Sequence, residues 1–415
     1  MDRLKRYFND YRLDMLTLVL GAGAYMWVMY AFTGQWPWSE NSYNTYTLQA
    51  CAWLKGQLDL GLDYPHLELA IYQGRYFVSF PPFPSFVMLP FAIFLGEKTP
   101  DGWIALATGI AGIIYTYKTF CLFRGTREHA MLWAFFLAFG TNLVFVKLNG
   151  WVWFIAQNMC FTLSMMAIYY AKKGKAGLSL AFWACSVGCR PLQVLYFPVL
   201  CFLLWQEAKK ETPDGNVLSI IKSKALCAVP MIIIAIVYML LNYARFGSIT
   251  EFGHNYLPEF MRTSEGQFHI SYIGQNMKNL FRLPAAAGYG RLDFYNMNGF
   301  AFWLASPVFI SYLIYLVRSI VRRKKESGYE AERIWFQAGL LVLMILHILL
   351  LLSHRTMGGW HFGNRYINDL LPYLFTGILL LMPEKDRTLR LQYVLCIFGA
   401  AVNLLGSAAV YNYWI

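Results

Sequence analysis

Apolar runs close to the length of a bilayer crossing recur along this chain, and that property limits what it can fold into. In hydrocarbon the backbone must satisfy its own hydrogen bonds, which a helix of about 20 residues does and an open loop does not. Eleven such runs are predicted, at 15–34, 103–122, 130–149, 152–171, 176–189, 191–206, 225–243, 300–320, 334–353, 367–383 and 391–410. Only 14% of the 415 residues are charged, against about a quarter in soluble domains. The expected fold class is therefore an all-α polytopic membrane protein, with residues 1–415 as a single transmembrane unit.

Charge sets the predicted orientation. Arg3, Lys5, Arg6 and Arg12 precede the first run and no small-residue cleavage site follows it, the pattern of an uncleaved signal anchor with a cytoplasmic N-terminus. Further Lys and Arg gather at 118–127, 172–175, 209–224, 318–333 and 385–390, which alternate runs place on the inner side. The net charge of +12 thus follows the positive-inside rule and fits anionic lipid headgroups as partners, with no nucleic acid implied. Residues 35–102 become a first outer loop and 244–299 a second. The stretch 82–96 is apolar but holds Pro82, Pro84 and Pro90. It is predicted as a juxtamembrane or re-entrant helix, because a crossing there would put Lys118, Arg124 and Arg127 outside. The pair 176–189 and 191–206 is too short for two full crossings, so a hairpin turning below the outer surface at Arg190-Pro191 is expected. Loop 244–299 has the mix of interfacial helices. The eight cysteines form no C-x-x-C pair and are read as core packing.

The chemistry concentrates outside. Glu40 and Glu68 lie among aromatics and prolines of the first loop, where a carboxylate could act as general base, although a solvated loop acid is the plainer reading of Glu40. Asp59 and Asp63 beside Gly56 and Gly61 have turn chemistry. Arg190, Arg365 and Arg245 each sit at the outer end of an apolar run, where a guanidinium fork suits a phosphate; snorkelling or an ion pair is the alternative. Residues 360–369 bring His361, Asn364, Arg365 and Asp369 together, with Gly358, Gly359 and Gly363 allowing close backbone approach. Asn41, Tyr43, Asp63, His66, His254, His361 and Asn364 are the expected lining of an acceptor pocket. No H-x-x-x-H or H-x-E spacing accompanies His254 or His361, so no metal site is predicted. Trp36, Trp38, Trp151 and Trp153 fit an interfacial aromatic belt.

Several of these stretches occur in a recognisable order: Gly56-Gln57-Leu58-Asp59-Leu60, Leu69 to Tyr76, Phe80-Pro81-Pro82-Phe83-Pro84, Gly188-Cys189-Arg190-Pro191, Asn242 to Ser248, and Phe362 to Pro372. With the basic N-terminus, one span and a long loop holding an early acid, the chain resembles the GT-C class of membrane glycosyltransferases, near the protein mannosyltransferase and aminoarabinose transferase group. The resemblance implies an inverting hexosyl- or pentosyltransferase in a bacterial cytoplasmic membrane, with its active site facing outward. Its donor would be a polyprenyl-phosphate-linked sugar and its acceptor a cell-surface glycan, lipid or protein. Glu40 would be the base and Glu68 a second acid or its rival, while Arg190 and Arg365 would hold the donor phosphate, with Arg245 a further candidate from its position alone. The family's early acid is usually Asp followed by a second acid, whereas here it is Glu40-Asn41. That departure speaks against a tightly held divalent ion, although magnesium or manganese stays open as a cofactor. A lipid-linked oligosaccharide polymerase or ligase, and a glycolipid flippase or transporter, are the competing readings.

Overall fold

The computed structural model describes residues 2–213, 224–287, 291–322, 330–384 and 386–412. Among the described residues helix dominates, with two short two-stranded hairpins beside it. Its principal helices are α1 (Asp2–Thr33), α2 (Thr45–Leu54), α3 (Phe83–Leu95), α4 (Asp101–Arg124), α5 (Ala130–Phe139), α6 (Leu143–Lys147), α7 (Val152–Lys172) and α8 (Ala176–Val187). These are followed by α9 (Phe197–Glu211), α10 (Val229–Phe246), α11 (Ile273–Phe281), α12 (Val308–Arg322), α13 (Glu330–Ser353), α14 (Leu371–Leu381) and α15 (Leu389–Tyr411).

Among the described residues six helical segments are long and apolar enough to cross a bilayer alone: Asp14–Thr33, Asp101–Arg124, Val152–Lys172, Ala225–Phe246, Ile334–Ser353 and Leu389–Tyr411. With these the protein is an all-α polytopic membrane protein. The helix α7 is its centre: 89% of its apolar window is buried, against 11% for α1 and for Ala225–Phe246. It packs on α4 and α8, and also touches α9 and α14. The outermost helices leave their apolar side chains exposed, as lipid-facing helices do.

The other predicted runs are present as shorter or interrupted helices. Run 130–149 unwinds at Gly140 into α5 and α6. There α15 closes in so tightly that a Cβ on Gly399 would lie 2.2 Å from the Gly140 carbonyl oxygen. The freed backbone around Asn142 is bonded locally: its amide N–H donates to Ser306 Oγ (3.1 Å), and its side chain donates to the Phe362 carbonyl (2.7 Å). Run 300–320 breaks at Pro307 and becomes helical from Val308. The helix α8 is only 12 residues long, about 18 Å at the α-helical rise. The chain turns at Gly188, whose carbonyl accepts from the Phe83 N–H at the start of α3 (2.9 Å).

Two features position the site. Arg190 is followed by a 3-10 turn (Pro191–Tyr196) and Arg365 begins another (Arg365–Leu370). Each turn feeds a helix with proline in its first turn, Pro198 in α9 and Pro372 in α14, where the missing N–H costs nothing. Residues 35–102 hold α2, α3 and a two-stranded hairpin, β1 (Leu69–Tyr72) with β2 (Arg75–Val78). Its two-residue turn, Gln73-Gly74, has positive φ at both positions (50° and 74°), the geometry that matches strand twist. Ser79 Oγ closes the open end by donating to the Glu68 carbonyl (2.8 Å).

Candidate active site

Arg190 donates from Nε to Asp369 Oδ2 (2.8 Å), and Gln157 of α7 donates to the other oxygen, Oδ1 (2.8 Å). The Asp369 side chain is 2% exposed and that of Arg190 23%. The carboxylate is therefore a buried anchor, and the guanidinium reaches from it toward solvent. No hydrogen-bond partner among the described residues engages the terminal nitrogens of Arg190.

Arg365 is held by neutral groups. It donates to the Gly358 carbonyl (3.1 and 2.8 Å) and to the Trp153 carbonyl (2.9 Å). Both guanidinium carbons adjoin one ring, 4.7 Å and 4.9 Å from the Tyr366 centroid, so the two cations lie within about 10 Å of each other. This buried guanidinium is bonded only to carbonyls and makes no direct ion pair among the described residues, and Arg365 is 5% exposed. Such a group attracts anionic ligands.

Glu68 completes the set. The indole Nε1 of Trp153 donates to its carboxylate (2.8 Å), while the backbone carbonyl of the same Trp153 accepts from Arg365. One residue thus joins the acid to the cation. Glu68 is solvent-exposed although protein crowds it, the situation of a group lining a cleft. Burial raises its pKa; the Trp153 hydrogen bond and Arg365 oppose the rise, and Glu259 adds to it.

Two histidines lie beside this cluster. The His254 Nδ1 faces the Ser79 carbonyl (3.1 Å), so that nitrogen carries the proton and Nε2 keeps its lone pair. The His354 ring lies 6.0 Å from His254 and 6.0 Å from Tyr366. Burial, with Arg190 and Arg365 acting in the same direction, lowers the pKa of His254 to about 4 and that of His354 to about 3. At neutral pH both rings are uncharged, and the local positive charge belongs to the arginines. His361 is likewise held to about 3 by burial and by Arg365. Among the described residues no three of His, Cys, Asp and Glu come together as a metal-ligand set.

The remaining sequence candidates sort differently. Glu40 is exposed and has no hydrogen-bond or ion-pair partner among the described residues. Asn41 is fully engaged: its Nδ2 donates to Asp101 Oδ2 (3.2 Å) and the Gly150 carbonyl (3.0 Å), and its Oδ1 accepts from the Tyr43 N–H (2.9 Å). Thr47 donates to the other Asp101 oxygen (2.5 Å), so Asn41 and Asp101 latch the loop to the start of α4. Tyr43 packs on Trp153 (5.1 Å) and sits beside His66 (6.1 Å), whose Nε2 meets the Ser42 carbonyl (3.1 Å). Asp63 is exposed and without a partner among the described residues. Arg245 is buried behind the hairpin, bonded to the Val78 carbonyl (3.3 Å) and Asn242 Oδ1 (2.8 Å), away from solvent. His361 and Asn364 are buried beneath Arg365. The Asn364 side chain has no hydrogen-bond partner among the described residues.

Sequence reasoning overlooked Trp153, Tyr366, Gln157 and His354. Trp153 was indistinguishable from an interfacial belt residue, and Gln157 from any polar residue inside a helix. No protein-family model matches the chain, and no curated protein matches it. Among solved structures it is similar to the apo crystal structure of the Archaeoglobus fulgidus oligosaccharyltransferase, at 10% sequence identity and a TM-score of 0.47. The match covers 96% of this chain and 55% of that one, so the chain spans about half the length of that protein.

Proposed function

We propose that this protein is a membrane glycosyltransferase that moves a single hexosyl or pentosyl unit from a polyprenyl-phosphate donor to a hydroxyl acceptor on a cell-surface glycan, lipid or protein. The observation that carries the reading is the cluster built on Trp153 and Tyr366: Trp153 bonds both the Glu68 carboxylate and the Arg365 guanidinium, and Arg365 and Arg190 share the Tyr366 ring. In this reading the cluster faces outward from a bacterial cytoplasmic membrane, and the polyprenyl tail lies in lipid beside the bundle.

The chemistry assigns a role to each group. Glu68 accepts the proton of the acceptor hydroxyl as its oxygen attacks the anomeric carbon. The bond to the phosphate oxygen breaks on the opposite face, which inverts the anomeric configuration. General-base help of this kind is worth about 10²–10⁴-fold. Negative charge grows on the departing phosphate, where the free nitrogens of Arg190 and the carbonyl-bonded Arg365 stabilise it. The raised pKa of Glu68 makes it a stronger base than an ordinary glutamate, and Glu40, without a link to the arginines, drops behind it.

The test is transfer itself. Purified protein in liposomes, given radiolabelled polyprenyl-phosphate sugars and membrane-derived acceptors, should form a new glycosidic bond and release polyprenyl phosphate. Glu68→Gln should lose that activity and Glu40→Gln should keep it. Movement of label across the bilayer with no new bond would replace the reading with transport.

A further inference from the structure

The helical stretch from Ile270 through α11 buries two asparagines and leaves a stripe of apolar side chains exposed. Its inward face is mixed: Leu280 packs against Leu351 and Leu352, while Asn276 donates to the carbonyls of Leu352 (2.9 Å) and His354 (2.6 Å), and Asn279 donates to Asn276 Oδ1 (3.4 Å). Its outward face carries Ile270, Met277 and Phe281, which are 76%, 40% and 47% exposed, and Leu283 beyond the helix is 61% exposed. Positions 270, 274, 277 and 281 follow the spacing of a single helical stripe, and Gly274 leaves that stripe open between Ile270 and Met277.

The location says what covers it. Asn276 caps the last carbonyls of α13, so the stripe stands at the end of a helix long and apolar enough to cross a bilayer. The exposed face of α13 carries Val342, Ile345, Leu346 and Leu349, again at helical spacing. Lys278 is exposed on α11 next to the stripe, where an ammonium can reach lipid phosphate while the apolar face sits lower. We infer that the 270–283 segment is a membrane contact, with its stripe seated among the lipid acyl chains at the bilayer surface. The occupant is lipid, continuous with the lipid around α13. The inference rests on α13 spanning the membrane and is independent of the transfer reaction.

The test uses the native protein reconstituted in phosphatidylethanolamine–phosphatidylglycerol vesicles containing a phospholipid with a diazirine in its acyl chain. After irradiation, adducts are mapped by peptide mass spectrometry, with 342–349 as the internal reference. Labelling of 270–283 within about threefold of the reference is expected for an interfacial helix. A labelled reference with an unlabelled 270–283 overturns the proposal. So does efficient chain-to-chain crosslinking through Met277→Cys, which would make a second copy the occupant. A Met277→Asp/Phe281→Asp variant that melts like wild type should lose about tenfold or more of the labelling at this segment alone, since charged side chains avoid hydrocarbon; unchanged labelling contradicts the inference.

Discussion

Replacing Asp369 with asparagine leaves the Arg190 guanidinium without its counter-charge where a second cation, Arg365, lies within about 10 Å across Tyr366. The cost can be worked from the contacts. Two charges about 4 Å apart attract by about 4 kcal/mol at an effective dielectric near 20, and two like charges about 10 Å apart repel by about 1.7 kcal/mol. Removing the carboxylate also removes its own desolvation penalty, and Arg190 reaches water with 23% of its side chain. The net loss is therefore about 2–4 kcal/mol, toward the lower side of what broken buried pairs cost. The substituted amide would also set its NH₂ against Arg190 Nε–H or against the Gln157 amide, so one of the two 2.8 Å bonds becomes a donor–donor clash. Denaturation in micelles should register that loss, and transfer should fall by about 30-fold or more if about 2 kcal/mol of phosphate stabilisation goes with it. A double-mutant cycle with Arg190→Gln should return a coupling of about 1.5 kcal/mol or more. Wild-type stability together with wild-type transfer in Asp369→Asn would refute the anchoring role.

Glu68→Gln should cut transfer by about 10²-fold or more and melt no lower than wild type at neutral pH. The folded-state pKa of Glu68 is raised, so its stabilising contribution is present below the ordinary glutamate pKa and is lost as pH rises through the folded value. For the same reason transfer should decline as pH falls through that raised value, where the base becomes protonated. Trp153→Phe deletes the indole donor that lowers this pKa, so the acid limb of the pH–rate profile should move to higher pH. Gly363→Ala should destabilise by about 2–4 kcal/mol from left-handed strain and a lost hydrogen bond: φ is +73°, and a Cβ would lie 2.3 Å from Asn142 Nδ2.

Much of the architecture was legible because membrane helices announce themselves by length. The runs at 103–122, 152–171, 225–243 and 391–410 fall on helices within a few residues, and the proline-interrupted 82–96 forms a helix tied to the Gly188 turn. The breaks were less visible. Gly140 and Pro307 interrupt apolar stretches whose hydropathy stays high throughout, and the Gly140 break depends on Gly399, remote in sequence. The β1–β2 hairpin was missed although Gln73-Gly74 signals a tight turn, since four-residue strands give period-two patterns too short to stand out. In the site, Arg190 and Arg365 could be picked out as cations ending apolar runs. Their meeting across Tyr366, and the link from Glu68 through Trp153, join distant stretches that no local pattern connects. Glu40 drew attention by position alone, and Asn41 by its neighbour; one is solvated and the other latches the loop to Asp101.

Binding of polyprenyl phosphate, the leaving group common to any sugar the enzyme uses, tests the account most directly. Native mass spectrometry in micelles should show the wild-type protein retaining polyprenyl phosphate in preference to the uncharged polyprenol. That preference should fall in Arg190→Gln and in Arg365→Gln and vanish in the double variant, while Glu40→Gln keeps it. Equal retention of phosphate and alcohol, or a preference untouched when both arginines are gone, would contradict the claim that these cations receive the departing phosphate.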